Sequence, residues 1–228
     1  MSDSYTRDRD EPANMNLTQP AAQTPFGTLR KFIRPRSAVE RCELCSAELR
    51  EHDHPHLFDP SKRQILCACS ACALLFSGQG ATKYLRVPRR IQFLPGFRMS
   101  DAQWESLLIP INLAFFSRST PAGRVVAMYP SPAGATESLL DLESWEEIVR
   151  ENRMLEKLEP DVEAVLINRV TTPHQYFIVP IDECYKLVGL IRTSWRGLSG
   201  GAEVWKQIAE FFLALKSCAV VREEEPHA

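Results

Sequence analysis

The residues able to do chemistry in this sequence are crowded into one short stretch. Cys42-Glu-Leu-Cys45 is followed by Cys67-Ala-Cys69-Ser-Ala-Cys72, so five of the seven cysteines fall within residues 42–72. A C-x2-C pair turns the backbone so that both sulfurs point at one centre, and two such pairs close a tetrahedron. Thiolates are soft ligands that suit zinc or iron better than magnesium or calcium. Twenty-three residues lie between Cys45 and Cys69, the separation found between the knuckles of a zinc ribbon. The spacing predicts one tetrahedral zinc on Cys42, Cys45, Cys69 and Cys72. Four thiolates also bind a single iron or an iron–sulfur cluster, so iron is the alternative metal.

The residues between the two pairs must bring them together. His56-Leu57-Phe58 and Arg63-Gln64-Ile65-Leu66 flank Asp59-Pro60-Ser61-Lys62, two apolar-bearing runs around a turn, which reads as a hairpin. A register pairing Phe58 with Arg63 would set Cys67 roughly opposite His54. Cys67, His54 and His56 are therefore alternates for one of the four thiols. His52, His54 and His56 alternate around Asp53 and Pro55, either as a polar strand entering the hairpin or with His54 or His56 binding or orienting the metal.

Around this centre the chain divides by composition. Of 228 residues, 44% are hydrophobic and 25% charged, with a formal net charge of -2. That is ordinary for a soluble protein, and it lacks the basic excess of a phosphate-binding surface, so no nucleic-acid partner is expected. Residues 1–36 are too polar to offset chain entropy and read as a disordered tail, in which Phe26, Leu29, Phe32 and Ile33 could dock locally. Met1–Pro20 also lacks the apolar stretch of a secretory signal. The longest apolar run, Leu107–Phe116, is interrupted by Pro110 and Asn112 and is too short to span a bilayer. These features predict a cytoplasmic, reduced protein whose cysteines are not disulfides.

Residues 37–78 form the expected metal module, and 79–99 a connector. The connector's basic run, Lys83, Arg86, Arg89 and Arg90, could touch an acidic partner or be a solvated loop. Residues 100–220 read as one α+β domain, and 221–228 as a polar tail. Ser100 with Gln103 predicts a capping box, and Ile111, Leu113 and Phe115 alternate as a strand. A turn at Thr120–Gly123 leads to a second strand over Val125–Tyr129. Ser144 with Glu147 predicts another capping box, with Pro160 stopping that helix. Val162–Val170 and Tyr176–Val179 are β-rich, and 135–140 could add a strand. Asp182 is expected to cap a helix carrying Cys184, Leu187, Val188, Ile191 and Trp195, with Gly197 just past its end. Ser199-Gly200-Gly201 would open the last helix. The fold class is thus α+β: a small zinc-ribbon-like module followed by an antiparallel sheet covered on one face by helices.

Three stretches together carry a resemblance. They are the cysteine pairs with His54-Pro-His56-Leu57, Tyr129-Pro-Ser-Pro-Ala-Gly-Ala-Thr-Glu-Ser138, and Pro180-Ile-Asp-Glu-Cys-Tyr185 through Trp195-Arg-Gly-Leu-Ser-Gly-Gly-Ala-Glu-Val-Trp205. Over about residues 40–217 the chain resembles an uncharacterised bacterial family, common in actinobacteria, that is often encoded beside uptake [NiFe]-hydrogenase genes. The resemblance implies a setting and no reaction, and it brings no catalytic residues with it.

Outside the cysteines the chemistry is sparse. Arg196-Gly-Leu-Ser199-Gly-Gly201 could hold an anion at a helix N-terminus, but a C-cap, turn and N-cap explain it equally well. Ser131-Pro-Ala-Gly134 is a turn at a strand end and not a nucleophile elbow. Cys184 falls on an apolar stripe, and Cys218 and His174 have no evident partner. Glu146, Glu147 and Glu151 read as a solvated helix face. With no nucleophile–base pair, the sequence favours a non-enzymatic accessory protein that binds a protein partner, such as a hydrogenase subunit or maturation factor. An iron–thiolate redox protein on the same electron path is the alternative. A small hydrolase or transferase using the glycine-containing loops comes third.

Overall fold

The computed structural model describes residues 39–50, 54–77, 83–138 and 142–222, with backbone alone at 142–144. The expected tails at 1–36 and, for the most part, 221–228 lie outside these residues, as do His52, the 139–140 end of the strand expected over 135–140 and the side chain of Ser144.

The hairpin forms where the turn residues place it. β1 (His56–Asp59) pairs antiparallel with β2 (Gln64–Cys67). The carboxylate of Asp59, almost fully buried, accepts the backbone N–H groups of Ser61 (3.1 Å) and Lys62 (3.3 Å), and Arg63 takes a left-handed φ of 51°. Because Arg63 belongs to the turn, the register is Phe58 with Ile65, and Cys67 faces His56 rather than His54. α1 (Ser70–Phe76) follows β2 directly. β3 (Leu85–Arg86) adds to the free edge of β1, completing a three-stranded sheet in the order β2-β1-β3.

A second sheet has seven strands in the order β10-β4-β9-β8-β5-β6-β7. They are β4 (Gln92–Phe93), β5 (Leu113–Ser119), β6 (Arg124–Ser131), β7 (Gly134–Ser138), β8 (Glu163–Asn168), β9 (Gln175–Pro180) and β10 (Val220–Val221). Every pairing is antiparallel except that of β10 with β4, which is parallel. Residues 79–99, expected to be a connector, thus supply one strand to each sheet.

Helices cover both faces of the large sheet, not one. Leu113, Phe115, Leu166 and Phe177 point to the face packed by α4 (Ile181–Ser194) and α5 (Gly201–Cys218). Ala114, Phe116, Val165 and Ile167 point to the other, packed by α2 (Asp101–Ser106), α3 (Leu142–Glu151) and a 3-10 turn over Arg153–Lys157. All six residues of β8 are buried. A continuous apolar run such as Ala164-Val-Leu-Ile167 is what a strand covered on both sides requires.

Several helix ends differ from expectation. The capping box of Ser100 and Gln103 is present. The helix expected from Ser144 begins two residues earlier, at Leu142, and ends at Glu151, well before Pro160. There the buried side chain of Asn152 donates to the carbonyls of Ile148 and Arg98 (both 2.8 Å) and accepts the N–H of Arg98 (2.7 Å), so it closes the helix and ties it to the chain before α2. Pro180, not Asp182, is the N-cap of α4, and its C-cap is Trp195, with Gly197 (φ 64°) in the turn beyond. Gly200 caps α5 at a φ of 87°, where an added Cβ would lie 2.8 Å from Val204 Cγ1. Only glycine adopts that conformation without strain.

The module and the large sheet meet through the two faces of β1. Leu57 points into a small cluster with Cys42, Leu49, Leu66, Ala68, Cys72 and Ala73. Phe58 points the opposite way, into the core beneath α4, with its ring 6.4 Å from that of Tyr185. Arg63 at the hairpin tip donates to Glu137 of β7 (2.9 Å), which also receives Arg124 (2.7 Å). Arg90 makes a two-pronged pair with the buried carboxylate of Glu163 at 2.6 and 2.9 Å and also reaches Glu159 (3.1 Å). For Arg90, then, the acidic partner is internal.

Candidate metal centre

The first cysteine pair sits on a backbone knuckle. Cys42 N–H donates to Ala47 O and Ser46 N–H to Cys42 O, both at 2.8 Å, and Ser46 takes a φ of 63°. A bridge between Arg41 and Glu48 closes the base of the turn. The second pair is built differently from a ribbon's second knuckle. Cys69 is the N-cap of α1, where its Sγ accepts the N–H of Cys72 (3.4 Å), one helical turn later. The module is therefore a knuckle, a hairpin and a helix in that order. Its two halves are tied by Glu43, whose N–H donates to Cys67 O (2.9 Å) and whose carboxylate accepts Cys67 N–H (2.8 Å).

These elements bring together the four sulfurs singled out from the spacing. The Sγ atoms of Cys42, Cys45, Cys69 and Cys72 all lie within 4.8 Å of one another, and those of Cys45 and Cys69 are 3.7 Å apart. A tetrahedron with zinc–sulfur bonds of about 2.3 Å has sulfur–sulfur edges of about 3.8 Å. The donor set thus fits a four-coordinate zinc or iron ion. Cys42 and Cys72 are buried, Cys69 is half-buried and Cys45 exposed, so the centre has one side in the module core and one at the surface.

The surroundings are arranged for negative charge at one sulfur. Burial works to raise the Cys42 thiol, but backbone N–H groups, those of Cys69, Leu44 and Cys45, outweigh it and bring it down to about 6. Burial and the three neighbouring thiols push Cys72 up to about 12. Four sulfurs crowded together resist ionising in succession. A divalent cation at their centre removes that conflict, because a coordinated thiol ionises outright.

The alternates do not join this set. His54, His56 and Cys67 form a group of their own, again with donor atoms within 4.8 Å of one another. Beside it stands Asp182, which the sequence marks only as a helix cap. In the first turn of α4, its Oδ2 lies 2.6 Å from His56 Nδ1. No local signal marks that contact, since 126 residues separate the two.

The remaining candidates are structural in what they touch. Ser131 donates to Gly134 O (2.9 Å) and accepts the N–H of Ala133, closing the β6–β7 turn. In the loop before α5, Ser199 O accepts the indole N–H of Trp205 (3.0 Å). Cys184 is fully buried, and burial drives its thiol well above the usual range. Cys218 donates to carbonyls of its own helix, and His174 Nδ1 lies 3.0 Å from Thr171 O. Glu146, Glu147 and Glu151 are exposed along α3.

A model of the family of unknown function DUF5947 matches residues 41–219, and the chain belongs to that family. No curated protein and no solved structure matches it.

Proposed function

We propose that this member of DUF5947 is a non-enzymatic accessory protein that holds one zinc ion on Cys42, Cys45, Cys69 and Cys72 and docks a protein partner. The observation that carries the metal reading is the convergence of four thiols from a knuckle and a helix N-terminus. Four protein ligands leave no open position, which is the pattern of a structural zinc. The docking half rests on α1 itself. The helix whose first turn carries Cys72 ends in Leu74, Leu75 and Phe76, exposed at 68%, 75% and 45%. Large apolar side chains presented together on a rigid metal-braced helix suit a protein partner.

The partner is a subunit or maturation factor of a [NiFe]-hydrogenase, and the compartment is the cytoplasm. That assignment rests on the gene setting implied by the resemblance. Among the described residues, no helix is long and apolar enough to cross a membrane.

Metal analysis of protein purified anaerobically, with Cys45→Ser and Cys72→Ser in parallel, tests the metal half. Zinc in the wild type, depleted in both variants, supports it. A coloured protein containing iron at the same cysteines replaces it with an electron-transfer role, which the surface position of Cys45 would serve. Capture from hydrogenase-expressing cells tests the docking half: recovery of a hydrogenase component, lost on Leu75→Ser with Phe76→Ser, supports it. Failure to recover any hydrogenase component counts against the partner.

A further inference from the structure

We propose a second metal site in the same module, separate from the four thiols, in which His54, His56 and Cys67 hold a borderline-soft divalent ion of the zinc type. The pairing of β1 with β2 sets His56 directly across from Cys67, and opposed residues of an antiparallel pair share a face. His54 lies two residues before His56, and its ring stands edge-on to the His56 ring at 5.0 Å. One ring nitrogen from each histidine and the Cys67 sulfur come within 4.8 Å of one another.

The orphaned nitrogen of His54 points to a ligand. Its side chain is only 7% exposed. Nδ1 lies 3.1 Å from Arg50 O and 3.5 Å from the carboxylate of Glu40, while Nε2 is buried with no hydrogen-bond partner among the described residues. Donation from Nδ1 to a carbonyl fixes the tautomer whose lone pair is on Nε2. A buried lone pair without a donor is costly, and a cation satisfies it.

His56 shows the complementary arrangement. Its Nδ1 meets Asp182 Oδ2 at 2.6 Å, the carboxylate–histidine pairing that orients a metal-binding imidazole and strengthens it as a ligand. Asp182 also receives the N–H of Glu183 (3.0 Å), so the carboxylate is itself held. Cys67 is fixed through its backbone by Glu43 of the first knuckle. Two imidazoles and a thiolate favour zinc-type ions over magnesium or calcium. Three ligands, unlike four, leave a position for water or an added ligand. A cleft of about 580 Å³ lined by Arg50, His54, Cys69, Arg86 and Arg89 opens beside His54.

Cobalt(II) titration of the metal-free, reduced protein tests the site, with zinc-edge X-ray absorption on the zinc-loaded wild type. The expected result is two equivalents bound and a zinc environment averaging both nitrogen and sulfur ligands. Cys67→Ser and, separately, the partly exposed His56→Gln should each reduce two equivalents to one while keeping the four-thiolate charge-transfer band. Asp182→Asn should keep both equivalents and weaken the second by roughly 10–100-fold. One equivalent in the wild type with an all-sulfur environment overturns the proposal and leaves the four-thiol site standing. Two equivalents unchanged in both Cys67→Ser and His56→Gln overturn it as well. If a variant fails to fold, the wild-type stoichiometry and ligand average still decide.

Discussion

The module and the large sheet differ in the core that each can build. The sheet's core contains Phe115, Phe116, Phe177, Phe212 and a set of fully buried Leu and Ile side chains spread over two faces. The module's own cluster has seven buried members, two of which are the candidate metal-ligand thiols Cys42 and Cys72 and two of which are alanines. So small a core cannot offset the entropy of its chain unaided. On the proposed metal reading, a cation bridging the four sulfurs would supply the missing cross-links, as in other small metal domains. The module's other support is borrowed, through Phe58 beneath α4 and Arg63 on Glu137. If that reading holds, one chain stabilises one region by apolar area and its neighbour by coordination.

The sharpest way to break this contrast is to remove the proposed metal. Structural zinc contributes on the order of 10 kcal/mol of folding energy at neutral pH. A strong chelator, or Cys72→Ser, should abolish hydrogen-exchange protection over residues 42–76 while leaving β5, β8 and β9 protected. Loss of protection throughout would show that the two regions fold as one unit. The converse is Phe177→Ala, a side chain fully buried between Phe93 and Phe212. It should cost about 3–5 kcal/mol in denaturant unfolding, with metal stoichiometry unchanged in the folded protein.

A smaller effect tests the seam before β4. Arg90→Met leaves the Glu163 carboxylate, 1% exposed, without its guanidinium. Breaking such a pair should cost about 3 kcal/mol, and Glu163→Gln in the same background should recover part of it. The smallest effect is at the hairpin tip. Arg63 first, then Arg124, holds the Glu137 carboxyl below its ordinary value of 4.5. A carboxylate depressed in the folded state adds stability above its unfolded value, and that increment is lost as pH falls below about 4.5 towards the lower folded value. Glu137→Gln should therefore cost less than about 1 kcal/mol at pH 7, and its difference from wild type should shrink on acidification in that window. A difference that grows with acid would rule out this linkage.

The four thiols are legible in the sequence because ligand spacing is local: a knuckle's geometry is contained in Cys42–Cys45. The hairpin is legible for the same reason, from Asp59-Pro60-Ser61-Lys62. Its register differs by two residues from the expected one because nothing in the sequence marks Arg63 as left-handed. The double burial of β8 is written in Ala164-Val-Leu-Ile167, but so short an apolar run does not by itself say what covers its second face. The two-residue strands β4 and β10 carry no pattern at all, since alternation needs length.

By itself, then, the sequence determined the longer elements and the set of clustered thiols, because periodicity and ligand spacing act over a few residues. Only the tertiary structure decided that His54, His56 and Cys67 stand apart from those donors, and that Asp182 reaches His56 instead of capping its helix. These are contacts between segments whose separation along the chain says nothing about distance in space. The first arises from the register of β1 with β2, and the second from packing of β1 against α4.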